Sequence, residues 1–226
     1  MKKTEKNLSL LYMILAASLV TANCIAGKVF VLPFMMFGSA VTLTVGAICY
    51  PITFLITDIV GELWGKEKAK IAVQWGFVCQ LISTAIIIIA RYLPATDLIM
   101  QESYVNLLGQ NWVFVLASLT AYTISQRWDV WVFHSLRDKY IDKHGTTKGG
   151  KWIWNNASTI TSQTLDSVIY VLIAFGFGFG WLFVSEMYAT MLNMIVAQIV
   201  VKSAIALLDT PIFYYATRGS HNDYIR

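Results

Sequence analysis

Six apolar stretches, at about residues 8–26, 41–58, 71–93, 112–133, 159–182 and 188–208, alternate with short polar connections. A helix needs about 20 residues to cross the roughly 30 Å hydrocarbon core of a bilayer, so each stretch predicts one spanning helix. Residues 29–37 are apolar but too short to cross and contain Pro33, which predicts an irregular or re-entrant connection instead of a seventh span. Lys2, Lys3 and Lys6 precede the first stretch, which lacks a convincing cleavage site and reads as a retained helix rather than a signal peptide. The longest polar connection, 136–151, holds Gly145, Gly149 and Gly150 and predicts a flexible loop. The expected fold is all-α: one polytopic membrane domain, 1–226, of about six transmembrane helices, with no internal repeat strong enough to claim.

Composition supports this class. The chain is 57% hydrophobic and 13% charged, about half the charge of an ordinary soluble domain. Its net charge of +4 would suit nucleic acid, but the basic residues are sorted by position. With the amino terminus inside, the inner segments hold Lys2, Lys3, Lys6, then Lys66, Lys68, Lys70, then Arg137, Lys139, Lys143, Lys148, Lys151, and last Arg218 and Arg226. The outer segments hold only Lys28 and Arg91. Positive charge marks the cytoplasmic side, so both termini are expected in the cytoplasm and no direct contact with nucleic acid is expected. Cys24, Cys49 and Cys79 stand singly in apolar segments and His134, His144 and His221 lie at helix ends or in loops, so neither a metal nor a cofactor is expected.

Polar residues inside the apolar stretches carry the chemistry, because a charge at membrane depth is costly and turns towards partners, water or a substrate. The fifth span, NNASTITSQTLDSVIYVLIAFGFGF, places Asn156, Thr159, Gln163, Asp166 and Tyr170 on one helical face. In the second, Asp58 and Glu62 are four apart, with Glu62 nearer the cytoplasmic edge. The fourth aligns Tyr122, Gln126, Asp129 and Phe133, and Arg137 continues that face. Arg127 is rotated about 100° from Gln126 and either pairs with another helix or snorkels. An ion pair of Asp129 with Arg127 or Lys202 competes with ligand contact. The sixth span has Gln198 and Lys202 four apart with Asp209 two turns on, and Pro211 suggests a kink or helix end. Lys202 is too deep to reach water and is expected to balance carboxylates of neighbouring helices. Asn23 and Lys28 mark the outer end of the first span.

The usual signatures of membrane enzymes are missing: there is no His-Glu-x-x-His, no Gly-x-Ser-x-Gly and no Walker motif. Asp58 and Asp166 lack the glycine-flanked setting of an intramembrane aspartyl protease, so no catalytic residue is assigned. Buried charges of both signs with amides on several helices suit a closed pocket better than a channel.

Five strings, TANCIAGKVF, YPITFLITDIVGELWGKEKAK, LASLTAYTISQRWDVWVFHSLRDKY, NNASTITSQTLDSVIYVLIAFGFG and KSAIALLDTPIFYY, run in order from the first span to the sixth. Together they resemble the bacterial queuosine precursor transporter family, also called the vitamin-uptake-like family. The resemblance implies an inner-membrane importer of 7-deazaguanines such as 7-cyano-7-deazaguanine and 7-aminomethyl-7-deazaguanine, salvaged for queuosine in transfer RNA. Matching positions are Asn23 and Lys28; Asp58 and Glu62; Gln126, Asp129 and Arg137; Asn156, Ser158, Gln163 and Asp166; and Lys202, Asp209, Thr210 and Pro211. Arg127 and Trp128 depart from the pattern.

A guanine-like edge offers two adjacent donors, N1–H and the exocyclic amine, which a carboxylate accepts together. Asp166 or Asp129 is the expected clamp, with Gln126, Gln163, Asn156 or Lys202 donating to O6 and Trp75, Trp131 or Phe133 stacking on the ring. The expected substrate site is therefore Asp58, Gln126, Asp129, Phe133, Asn156, Gln163, Asp166 and Lys202, in a pocket of the second, fourth, fifth and sixth helices. Asn23, Lys28, Glu62, Arg137 and Asp209 are supporting positions. Three alternatives stay open: a carrier for another vitamin or purine-like molecule, the substrate-binding component of an ATP-driven complex, and an intramembrane enzyme. The expected partners are the small-molecule substrate and lipid, with a second copy or an energising subunit open.

Overall fold

A computed structural model describes residues 3–36, 38–144 and 151–217; within these, the side chains at 34, 39, 66, 130, 137, 144, 151–156 and 206–217 are not described. Seven helices and one hairpin follow in order: α1 Glu5–Ile25, β1 Val29–Met36, β2 Ser39–Thr44, α2 Tyr50–Trp64, α3 Lys66–Tyr92, α4 Leu98–Leu108, α5 Asn111–His144, α6 Lys151–Val171 and α7 Tyr188–Thr217. Six helical segments are long and apolar enough to cross a membrane. The protein is a multi-pass, predominantly helical membrane protein.

Local sequence explains the helix boundaries. Thr4 caps α1 by accepting from the Asn7 amide at 3.2 Å. Pro51 stands in the first turn of α2, where its missing N–H costs nothing. Between α2 and α3 only Gly65 intervenes, at φ +92°, a left-handed conformation that lets the chain reverse in one residue. Asp97 caps α4 by accepting from the Ile99 amide at 2.9 Å.

Four expectations need correction. Within 29–37, expected to be an irregular or re-entrant connection, Val29–Met36 form β1, paired antiparallel with β2, and add no seventh span; residue 37 lies outside the described residues. Residues 41–44, assigned from hydropathy to the second span, are the returning strand, and a 3-10 turn at Val45–Cys49 leads into α2. Register runs Val29 to Thr44, Phe30 to Leu43 and Val31 to Thr42, breaks, and resumes with Met35 opposite Ala40. Pro33 lies in that break, where its missing donor takes no ladder bond away. The connection at 136–151 is mostly helix: α5 continues to His144 and α6 begins at Lys151, with 145–150 outside the described residues. Pro211 does not end α7, which continues to Thr217.

Packing builds three apolar centres. α1, α2 and α3 meet around Leu15, Val60 and Leu63. α5, α6 and α7 meet around Phe114, Val171, Phe175 and Met194. The hairpin packs Val41 and Leu43 against Ala197 of α7, with Val201 beside them. Asn193 of α7 donates to the Met36 carbonyl, so the hairpin tip is tied to the same helix. Ile82, Ile86 and Ile89 of α3 face outward at helical spacing, as lipid contact requires.

Polar bonds join the spans at a few points. The Thr84 hydroxyl of α3 donates to Asn111 Oδ1 at 2.9 Å, fixing the start of α5. Bonds of this kind contribute on average about 0.6 kcal/mol in membrane proteins. Thr84→Val is expected to lower the thermal midpoint in detergent slightly without changing transport; an unchanged midpoint would show that the bond adds nothing.

Candidate functional site

The deepest polar contact is made by Lys202. Its side chain is only 5% exposed, and Nζ lies 2.6 Å from Asp166 Oδ2. Nζ also donates to Ser167 Oγ at 3.1 Å and stands 5.3 Å from the centre of the Tyr50 ring. An ammonium at this depth has given up its hydration, so a carboxylate, a hydroxyl and an aromatic face must replace it. These groups come from α7, α6 and α2. The sequence expectation that Lys202 balances a neighbouring carboxylate is met by Asp166.

Helical spacing explains the convergence. On α6, Ser158, Ser162, Ser167 and Tyr170 are buried and Asp166 is half-buried, so small hydroxyl residues let α5 and α7 approach this face. Thr159, expected on the polar stripe, is exposed, and Gln163 is half-buried with its carbonyl accepting from Ser167 Oγ at 3.0 Å. One turn before Asp166, the Ser162 hydroxyl lies 3.2 Å from Asp129 Oδ1 and 3.0 Å from the Thr159 carbonyl. Asp129 of α5 therefore joins α6 one turn from the ion pair, and its described contact is Ser162, not Lys202.

Beyond Val171 the helix widens into a π segment, Leu172–Phe177, closed by Gly178 N–H donating to the Ile173 carbonyl at 3.0 Å. Phe175 is buried there and stacks on Phe179 at 5.4 Å, with Phe114 at 5.8 Å and Trp181 at 5.1 Å. This aromatic cluster closes the bundle past Tyr170. π segments inside helices frequently stand next to functional sites.

The other expected residues are more dispersed. Asp58 and Glu62 are exposed on α2 and Gln126 is exposed on α5. Phe133 is half-buried with its edge against the His134 ring. Asn23 is buried, but its amide donates to the Leu19 carbonyl, which also accepts from Gln80 of α3 at 2.9 Å, so it serves the α1 and α3 seam. Lys28 is exposed in the turn before β1. The side chains of Arg137, Asn156 and Asp209 lie outside the described residues. Two expected stacking residues face outward: Trp75 is 60% exposed and Trp131 61%. Trp131 lines an open groove with Ile124, Arg127 and Trp128, apart from the ion pair.

Three residues at the centre were not singled out from sequence as ligands. Tyr50 opens α2 and faces Lys202; Tyr170 is buried one turn beyond Asp166. Gln198, one turn before Lys202, is fully buried. The four-residue spacing of Gln198 and Lys202 was the available signal.

Comparison with known proteins identifies the family. The family described as "Putative vitamin uptake transporter" matches residues 44–216, which take in α2 to α7 and every group around Lys202. The chain is 28% identical over 183 residues to a protein of Bacillus subtilis (strain 168) named "Probable queuosine precursor transporter", covering 80% of this chain and 75% of that one. No solved structure matches. With six helical segments long and apolar enough to span a membrane, and a family match across most of its length, the chain belongs to the vitamin uptake transporter family and is a multi-pass membrane transporter.

Proposed function

We propose that the protein is an inner-membrane importer of queuosine precursors, binding a 7-deazaguanine at the Lys202–Asp166 pair. The observation that carries the reading is that pair itself, buried where α2, α6 and α7 meet. The name of the Bacillus subtilis relative supplies the substrate class. A carboxylate has about four acceptor positions, and Lys202 occupies one oxygen, Oδ2. Asp166 is 27% exposed, so its other acceptor positions are within reach of a ligand's N1–H and exocyclic amine. Lys202 has three N–H donors, of which Asp166 and Ser167 take two. Among the described residues no third acceptor meets Nζ, which lies over the Tyr50 ring, and its remaining N–H can turn to O6 as the base settles against Asp166. Tyr50 and Tyr170 supply aromatic faces at this level, a role expected from sequence for Trp75 and Trp131.

Asp129, one turn away on the α5 side, is the second carboxylate of the proposed site, and Gln163 extends it along α6. Asp58, Gln126, Phe133 and Asn156 complete the proposed substrate-binding set on the strength of the sequence resemblance, with Asn23, Lys28, Glu62, Arg137 and Asp209 as supporting positions. Both termini are cytoplasmic in this reading, since 13 of the 17 Lys and Arg residues then lie inside. The reaction is movement of the unmodified base, not turnover.

The test is the queuosine content of transfer RNA in a bacterium unable to make the precursor, expressing this chain and fed limiting 7-cyano-7-deazaguanine. Restored queuosine is expected with the wild-type chain. No restoration, with the chain present in the membrane, would point to another ligand or a required energising partner.

A further inference from the structure

Gln198 is fully buried on α7, one turn from Lys202, and among the described residues neither its Oε1 nor its Nε2 has a hydrogen-bond partner. A primary amide carries two donors and two acceptor positions, and leaving them unmatched in the interior is costly. Thr42 Oγ1, on the strand that packs against Ala197, is a second buried oxygen with no partner among the described residues. Packing alone would favour an apolar residue such as Met at 198, of similar length and free of polar atoms. An amide in that position is explained by a partner that is not part of the chain.

We propose that Gln198 is a substrate-recognition residue that reads the N3 and N9–H edge of the free base. This rests on the deazaguanine reading above. With Asp166 on the N1–H and exocyclic amine edge, the adjoining edge of a 7-deazaguanine presents an acceptor, N3, beside a donor, N9–H. A primary amide presents the complementary pair, a donor N–H and an acceptor oxygen. Asp166 of α6 pairs with Lys202, and Gln198 stands one turn before Lys202 on the packed α7. A nucleoside has its sugar on N9 and offers no donor there. The site therefore selects free bases over nucleosides, because a buried amide left unpaired discriminates more strongly than a steric pocket does.

The test uses the full chain in detergent, titrated with 7-cyano-7-deazaguanine and with its 9-methyl derivative, for the wild type and Gln198→Met. Wild type is expected to bind the 9-methyl compound at least about tenfold more weakly. Gln198→Met is expected to bind the free base about tenfold more weakly, to lose most of the discrimination between the two, and to unfold at the same temperature or higher without ligand. A structural role would move stability and affinity down together, and that outcome overturns the proposal. So does a variant that binds the free base as tightly as wild type, or a wild type that binds both compounds equally. A wild type that binds neither overturns the deazaguanine reading itself.

Discussion

Asp166→Asn is expected to abolish uptake and to destabilise the chain by about 3 kcal/mol. Removing one partner of a buried ion pair costs more than the pair contributes, because the remaining charge stays buried without compensation. The charge left behind is Lys202, 5% exposed, with Ser167 and the Tyr50 ring as its other neighbours among the described residues. The figure is at the lower end of the usual range, since Asp166 is 27% exposed and an asparagine there still accepts one hydrogen bond. The double variant Asp166→Asn with Lys202→Met removes the orphaned charge and is expected to recover most of the lost stability. Uptake is not expected to return, because the acceptor for the base is gone. Thermal unfolding and uptake measured on the same three preparations separate the roles. Recovery of both would show that the pair is purely structural.

Gly46→Val is the second large effect. A Cβ at residue 46 would lie 2.6 Å from the Ala22 carbonyl oxygen and 3.5 Å from Ala26 Cβ. The first obstacle is backbone of α1 and cannot rotate away, so the turn at Val45–Cys49 must move off α1. Forcing extra carbons into a filled interior costs about 1–3 kcal/mol, and the upper end applies where backbone is the obstacle. Tyr50 follows four residues later, so the displacement also carries its ring away from Lys202. Gly46→Val is expected to lose about 3 kcal/mol and most of its uptake. Gly61→Ala is the control: a Cβ there meets Ala69 Cβ at 3.9 Å, an ordinary contact, and alanine improves the helix. Equal losses in the two variants would contradict this account.

Hydropathy made the spans legible because length and apolar content decide whether a helix crosses a bilayer. The same measure is blind to strand against helix in a short apolar run. That is why residues 41–44 were read into the second span although Val41, Thr42 and Thr44 are β-branched and Thr42 and Thr44 pair with β1. Helix α4 escaped because its 11 residues are too few to cross, although its cap at Asp97 is a local signal. The pairing of Lys202 with a carboxylate was legible, since depth leaves an ammonium no alternative. Helical spacing aligns residues on a face but does not say whether that face meets lipid or protein. Trp75 and Trp131 turned out to face outward, while Tyr50, at the start of α2, reaches the ion pair through the turn that precedes it. Gln198 was seen only as a neighbour of Lys202; its want of a partner is a property of the packed interior.

The most direct measurement is a binding titration of 7-cyano-7-deazaguanine on the purified full-length chain in detergent, beside Asp166→Asn. Saturable binding to the wild type, lost in the variant, is the predicted result. A wild type that does not bind, or a variant that binds equally well, would contradict the assignment of the Lys202–Asp166 pair as the substrate site.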